Sequence, residues 1–177
     1  MKKQKGFSLI ELLIVVAIIL IIAAIAIPNL MRSKIAANES SAVASLRTVG
    51  TAEVTYQSSW NLGFAAALTQ LGGPAPCTVA SAATACLIDP LLSTGAQTKS
   101  GYVFAGAGTL PDPAGNPQAF ELNATATAYQ VTGVRSFCAD QTGLIQFAIN
   151  GGKAIGIAAG SCAGVANVPG TSGPVGN

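Results

Sequence analysis

The hydrophobic and polar positions of this chain follow three different periods in turn. The first is a continuous apolar run: Met1-Lys-Lys-Gln-Lys-Gly6 is polar and basic, and residues 12–27 then contain no polar side chain at all. From Phe7 the apolar stretch is about twenty residues long, and at roughly 1.5 Å per residue it predicts a helix able to span a bilayer core of about 30 Å. The second period is helical. Ile35, Ala42, Leu46, Val49, Ala52, Tyr56 and Trp60 recur near helical spacing with Arg32, Lys34, Glu39, Arg47 and Glu53 among them, so an amphipathic helix is expected over 29–60. Pro28 removes one helical hydrogen bond and is expected to kink the rod, yet the helical pattern resumes directly after it. A helix from Phe7 to about Ser58 would be roughly 75 Å long. Its second half needs a packed partner, because an isolated Ala-rich helix is marginal.

The third period belongs to the C-terminal part. Residues 61–100 carry Gly63, Gly72-Gly73, Pro74, Pro76 and Pro90 among short apolar pieces such as 64–71 and 87–92, which predicts a loop with one or two short helices. Strands are expected at 102–105, 120–127, 133–138 and 144–149, separated by Pro111-Asp-Pro-Ala-Gly-Asn-Pro117 and Asp140-Gln-Thr-Gly143. Connections this short favour an antiparallel meander, since parallel crossovers need about a dozen residues or more. Residues 101–163 therefore form the sheet and its C-terminal extension. The tail 164–177, rich in Gly, Pro, Ser and Val, is expected to be flexible. The fold class is α+β, a long N-terminal α-helix packed against an antiparallel sheet of about four strands.

Composition narrows the function. Half of the residues are hydrophobic and only 9% are charged, which excludes a disordered chain and a densely basic nucleic-acid coat. The formal charge of +2 hides a split: Lys2, Lys3 and Lys5 lie ahead of the apolar run, leaving six basic against seven acidic residues in the rest. No nucleic-acid partner is expected. The chain has no histidine, so the Ser/His/Asp triad and His-containing zinc sites are absent, and no enzyme activity and no cofactor are expected. Three lysines before the segment against Arg32 and Lys34 after it favour a cytoplasmic N-terminus with the remainder exported.

Three readings of the N-terminal segment remain open on physical grounds. Ala24-Ile25-Ala26 fits a signal-peptidase site, although a signal core is usually only about 7 to 15 residues and uncharged. A plain membrane anchor is the second reading. Twelve Leu, Ile or Val side chains in residues 12–27, at about 0.3 to 0.6 kcal/mol each, give insertion a gain on the order of 5 kcal/mol. The third turns on Glu11, because a carboxylate in a lipid-facing helix is costly and is usually paired or functional. If the chain were cut between Gly6 and Phe7, the new Phe7 ammonium would be the nearest opposite charge, in the same helix or from a neighbouring subunit. Without cleavage, Glu11 would snorkel to the headgroups.

The segment Lys5-Gly6-Phe7-Ser8-Leu9-Ile10-Glu11-Leu12 resembles the class III leader-peptide motif of type IV pilins and of the pseudopilins of type II secretion systems. That resemblance implies a leader over residues 1–6, cleavage after Gly6 by a membrane-embedded prepilin peptidase, and N-methylation of Phe7. It assigns Glu11 to neutralising the N-terminus of an adjacent subunit and setting its register. It makes 7–28 the transmembrane and filament-core helix, and Pro28 matches the position where many such helices bend or melt. The implied fold is a long helix whose second half packs on an antiparallel sheet of about four strands.

Four cysteines at 77, 86, 138 and 162 allow three pairings, and an exported chain is expected to form disulfides. We favour Cys77 with Cys86, clamping a short loop, and Cys138 with Cys162, tying the C-terminal segment to a strand. The second bridge resembles the C-terminal disulfide loop of type IV pilins. A four-cysteine zinc site is the alternative, but no C-x-x-C pair occurs. Asp89, Asp112 and Asp140 sit in expected turns, where Asp caps backbone N–H groups. Major pseudopilins can bind calcium, which raises Asp140 with Asp112 as a site, although no recognisable calcium loop is present and no metal is expected. Asn38-Glu-Ser40 and Asn123-Ala-Thr125 fit a glycosylation sequon that often occurs by chance. The acidic pairs Glu39/Glu53 and Glu121/Asp140 are expected to be solvated surface.

The function expected from this reading is that of a structural subunit. A type IV pilus protein would be stored in the inner membrane, handled by an assembly platform, and polymerised through its helix into a surface filament for adhesion, motility or DNA uptake. A type II secretion pseudopilin in a periplasmic pseudopilus is the alternative. The two disulfides and a body of about 117 residues after Trp60 suit the surface fibre better. A membrane-tethered exported binding domain is the reading from a different class.

Overall fold

A computed structural model describes residues 7–156 and 158–175. Two compact units divide the chain, residues 1–34 and 35–177. A single helix, α1, runs from Leu9 to Trp60 across that boundary, and it continues unbroken through Pro28. The helix therefore does not melt at the proline. Pro28 removes one N–H donor, and that loss is confined to one turn of a helix of 52 residues.

In the first unit, the α1 residues from Leu9 to Leu30 present their large apolar side chains to the exterior, and the most apolar stretch has no buried residue. It is the one helix among the described residues long and apolar enough to cross a membrane.

The second unit is built on the amphipathic half of α1. Ala42, Leu46, Val49, Ala52 and Tyr56 are buried, while Ile35 and Trp60 at the two ends are half-buried. The five buried residues, with Trp60 packed against them, share one core with Leu68 and Leu71 of α2 (Leu68–Leu71), Leu92 of α3 (Pro90–Ser93), and Phe104, Phe120, Leu122 and Phe137 of the sheet. The sheet is a six-stranded antiparallel meander in sequential order: β1 Thr98–Lys99, β2 Tyr102–Pro111, β3 Pro117–Ala126, β4 Ser136–Asp140, β5 Ile145–Ala148 and β6 Ser172–Pro174. Four of these correspond to the expected strands. Two short edge strands are additional, and β6 places part of the supposedly flexible 164–177 tail in the sheet, where Phe147 pairs with Gly173. At the other edge, Ser100 and Gly101 both take positive φ, the backbone that a two-residue hairpin turn requires between Lys99 and Tyr102.

Register sets two faces. Phe120, Leu122 and Ala124 of β3 point into the core with Phe104 and Phe137, whereas Glu121 and Asn123 occupy the opposite face beside Asp140 and Cys138, their cross-strand partners. Cys138 bonds Cys162, and Cys77 bonds Cys86, each with Cα atoms 5.7 Å apart. The Cys138–Cys162 bridge holds the segment around Cys162 to the outer sheet face. Gly156 allows this approach, since its φ is +65° and a Cβ there would collide with Cys138.

Candidate functional site

Of the residues singled out from sequence at the N-terminus, Phe7, Glu11 and Pro28 are described, and Gly6 with Lys2, Lys3 and Lys5 lies outside the described residues. Phe7 is fully exposed just ahead of the helix. Glu11 occupies the first turn of α1, and its Oε2 accepts a hydrogen bond from the Ser8 backbone N–H at 2.9 Å. Ser8 is the residue before the helix and Glu11 stands three positions on, so this is one half of a capping box. Sequence reasoning weighed Glu11 only as a charge. The Ser-x-x-Glu spacing was the signal that would have shown its local role, which is to satisfy a donor that the helix leaves free.

The arrangement puts a carboxylate beside the chain's backbone one residue after the Gly6–Phe7 bond. A positive charge at Phe7 would lie next to an acceptor that is already oriented toward the start of the helix. What this arrangement can do is present a carboxylate to a positive charge at the head of an apolar helix.

Residues 1–27 match the family described as Prokaryotic N-terminal methylation motif. The chain is 47% identical over 57 residues to the type IV wide pilus major component PilA4 of Thermus thermophilus, covering 32% of this chain and 44% of that protein. It is 46% identical over 54 residues to the type IV major pilin protein PilA of Myxococcus xanthus, covering 30% of this chain and 24% of that one. Its N-terminal segment is thus similar to those of type IV pilins. The chain spans less than half of the length of the curated relatives it matches. No solved structure matches it.

Elsewhere in the chain, the four acidic residues expected on solvated surface, Glu39, Glu53, Glu121 and Asp140, are buried. Glu39 is 5% exposed. Its Oε1 accepts from the backbone N–H groups of Val134 and Arg135 at 2.9 and 3.0 Å, and its Oε2 accepts from Arg135 Nε and Nη2, each at 2.7 Å. The Arg135 guanidinium lies 5.6 Å from the Phe137 ring centre and 5.4 Å from that of Phe147. Glu39 is therefore an electrostatic rivet between α1 and the β3–β4 connection.

Glu53 is 2% exposed and accepts from the Ala65 N–H at 2.8 Å. Burial pushes its pKa up to about 7, partly opposed by that hydrogen bond. Glu121 and Asp140, paired across β3 and β4, are each 3% exposed. Burial raises the Glu121 pKa, the Asp140 charge adds to the rise, and the backbone N–H groups of Gly160, Ser161 and Cys162 oppose it. Asp140 Oδ1 accepts from the Thr142 N–H at 2.9 Å in the β4–β5 turn.

The remaining candidates have structural explanations. Asp89 caps α3 through the Leu91 N–H at 2.9 Å, and Asp112 closes the β2–β3 hairpin through the N–H groups of Ala114 and Asn116 at 2.9 and 2.8 Å. The Asp112 carboxylate is thus engaged in its own turn, and the described residues contain no group of three or more His, Cys, Asp or Glu able to hold a metal. Of the two sequons, Asn123 is buried in β3 and Asn38 donates to the Thr132 carbonyl at 2.9 Å.

Proposed function

We propose that this protein is the structural subunit of a type IV pilus, processed between Gly6 and Phe7 and polymerised through its N-terminal helix. The carrying observation is the exposed apolar run of α1 headed by Phe7 and Glu11, joined to a separate disulfide-bonded α+β unit. A helix with this much apolar surface has two stable surroundings, lipid or other copies of itself. In the first it is an inner-membrane precursor with its N-terminus in the cytoplasm and its α+β unit outside. In the second it is the core of a filament.

Cleavage by a prepilin peptidase would place the Phe7 ammonium beside Glu11, and N-methylation of that amine would leave its charge in place. A pair of opposite charges inside an apolar bundle penalises every register in which they do not meet, which is how a single buried polar contact can select one assembly. The assembly platform that extracts the subunit and the adhesive, motile or DNA-uptake role of the fibre are expectations drawn from the resemblance to type IV pilins. No enzymatic step belongs to this account.

The test is recovery of extracellular fibres by shearing cells that express the chain. The proposal expects this protein to be the major component of the sheared fraction and the fibres to vanish on deletion of its gene. A chain found only in the membrane fraction of cells that still carry fibres would contradict it.

A further inference from the structure

The tip of the β2–β3 hairpin carries an exposed leucine in an unfavourable backbone conformation. Leu110 has φ +51° and is 61% exposed, and it is the one aliphatic side chain at positive φ among the described residues. Glycine or asparagine would occupy this position with less strain, and exposure gives the leucine no packing return in the monomer. It stands between the Thr109–Ala119 and Pro111–Pro117 pairs, and two residues on is Asp112, locked into the turn by its own hydrogen bonds. Those N–H groups, that of Asn116 foremost, hold the Asp112 carboxyl below its usual range, so the tip is an apolar knob with a fixed negative charge beside it.

The same unit also contains a receiving surface. A groove of about 410 Å³ runs between Leu46, Gly50 and Val54 of α1 and Phe120 and Ile145 of the sheet, with Arg47 at its lip. Arg47 is exposed and has no ion-pair partner among the described residues, while Asp140, which also borders the groove, turns its Oδ1 toward Thr142. Gly50 sits in mid-helix where alanine would favour the helix, and a Cβ there would meet nothing within 4 Å, so the residue leaves the groove open. Val54 adds a largely exposed apolar wall.

We infer that the groove lined by Leu46, Gly50, Val54 and Ile145 receives the Leu110 tip of a second copy of this chain, with the Asp112 carboxylate of that copy against Arg47. The occupant is argued from complementarity in both shape and charge: an exposed apolar knob with an anion beside it, and an apolar groove with an unpaired cation at its edge. Leu110 does not border the groove, so each copy carries both halves of the contact and the contact can repeat along an open assembly. The inference rests on the filament reading and adds to it a contact between the α+β units of neighbouring copies, separate from the N-terminal helix.

Three variants of the full chain test it, with wild-type fibres as the control for the filament reading itself. Leu110→Gly removes the knob and relieves the backbone, and Gly50→Leu plugs the groove with a good helix former. Both are expected to keep or raise the thermal midpoint of the detergent-solubilised subunit and to lower sheared-fibre yield at least tenfold. Undiminished fibres from either folded variant would overturn the contact. The double variant Leu110→Cys with Thr51→Cys, the latter at a position that also lines the groove, introduces two thiols into a chain whose described cysteines are all paired. Mild oxidation of its fibres is expected to give reducible dimers and higher ladders that neither single variant gives, and fibres without such species would overturn the contact. Absence of wild-type fibres would instead fail the filament reading.

Discussion

The Ser8 backbone N–H donates to Glu11 Oε2 at 2.9 Å, so the one carboxylate at the head of the apolar helix has a local partner before any neighbour arrives. Two roles for Glu11 are therefore separable: a hydrogen-bond acceptor at the helix start and a negative charge. Glu11→Gln keeps an acceptor oxygen and removes the charge, whereas Glu11→Ala removes both. If the charge directs assembly, both variants insert into the membrane and both lose fibres. Fibre yield in the sheared fraction checks this, and normal fibres from Glu11→Gln would reduce Glu11 to a cap.

Breaking the Glu39 rivet should be costly. Glu39→Ala leaves two backbone N–H groups and the Arg135 guanidinium without their acceptor, for a loss of about 2 to 4 kcal/mol. Arg135→Ala is expected to cost less, because Glu39 then keeps both backbone donors and the arginine is partly exposed. Denaturant unfolding of the solubilised subunit orders the two, and equal losses would contradict the role given to the backbone bonds.

Glu53 gives stability a pH dependence of known sign. Its folded pKa of about 7 exceeds the unfolded value of 4.5, so the folded chain binds more protons between these values and stability falls as pH rises through that window. The full penalty, up to about 3 kcal/mol, is present above pH 7. Glu121, also raised by burial, acts in the same sense. Glu53→Gln is expected to be more stable than wild type at pH 8 and little different at pH 4.5, with a flatter curve between. Parallel curves for the two proteins would contradict the assignment.

The two disulfides should differ in weight. In the loop-entropy account the Cys138–Cys162 bridge, with a separation of 24 residues, contributes about 3 kcal/mol, and the Cys77–Cys86 bridge, with a separation of 9, contributes less. Removing the first also frees the loop whose N–H groups face Glu121. Cys138→Ser with Cys162→Ser is expected to raise amide exchange across residues 156–162, and unchanged exchange there would show that other contacts hold the loop.

The N-terminal segment was the part most legible in the sequence, because an apolar run and one misplaced carboxylate can be read without knowing the fold. The helical stripe from Ala42 to Tyr56 and the turn roles of Asp89, Asp112 and Asp140 were legible for the same reason, since each depends on near neighbours. Glu39 and Glu53 were misread as solvated. Their acceptors are filled by Arg135, Val134 and Ala65, which are brought in by tertiary structure and leave no trace at helical spacing. Strands β1 and β6 were missed because two- and three-residue edge strands among Gly, Ser and Pro carry no alternation to detect. The positive φ of Leu110 left no signal in the sequence, because a leucine ahead of a Pro-rich turn does not announce its backbone conformation.

The most direct test of the account is an intact-mass and N-terminal peptide spectrum of the protein recovered from cells. A mature chain beginning at Phe7 with an added methyl group is the expected result and would establish prepilin processing. A chain beginning after Ala26, or one still carrying Met1 in its assembled form, would contradict it.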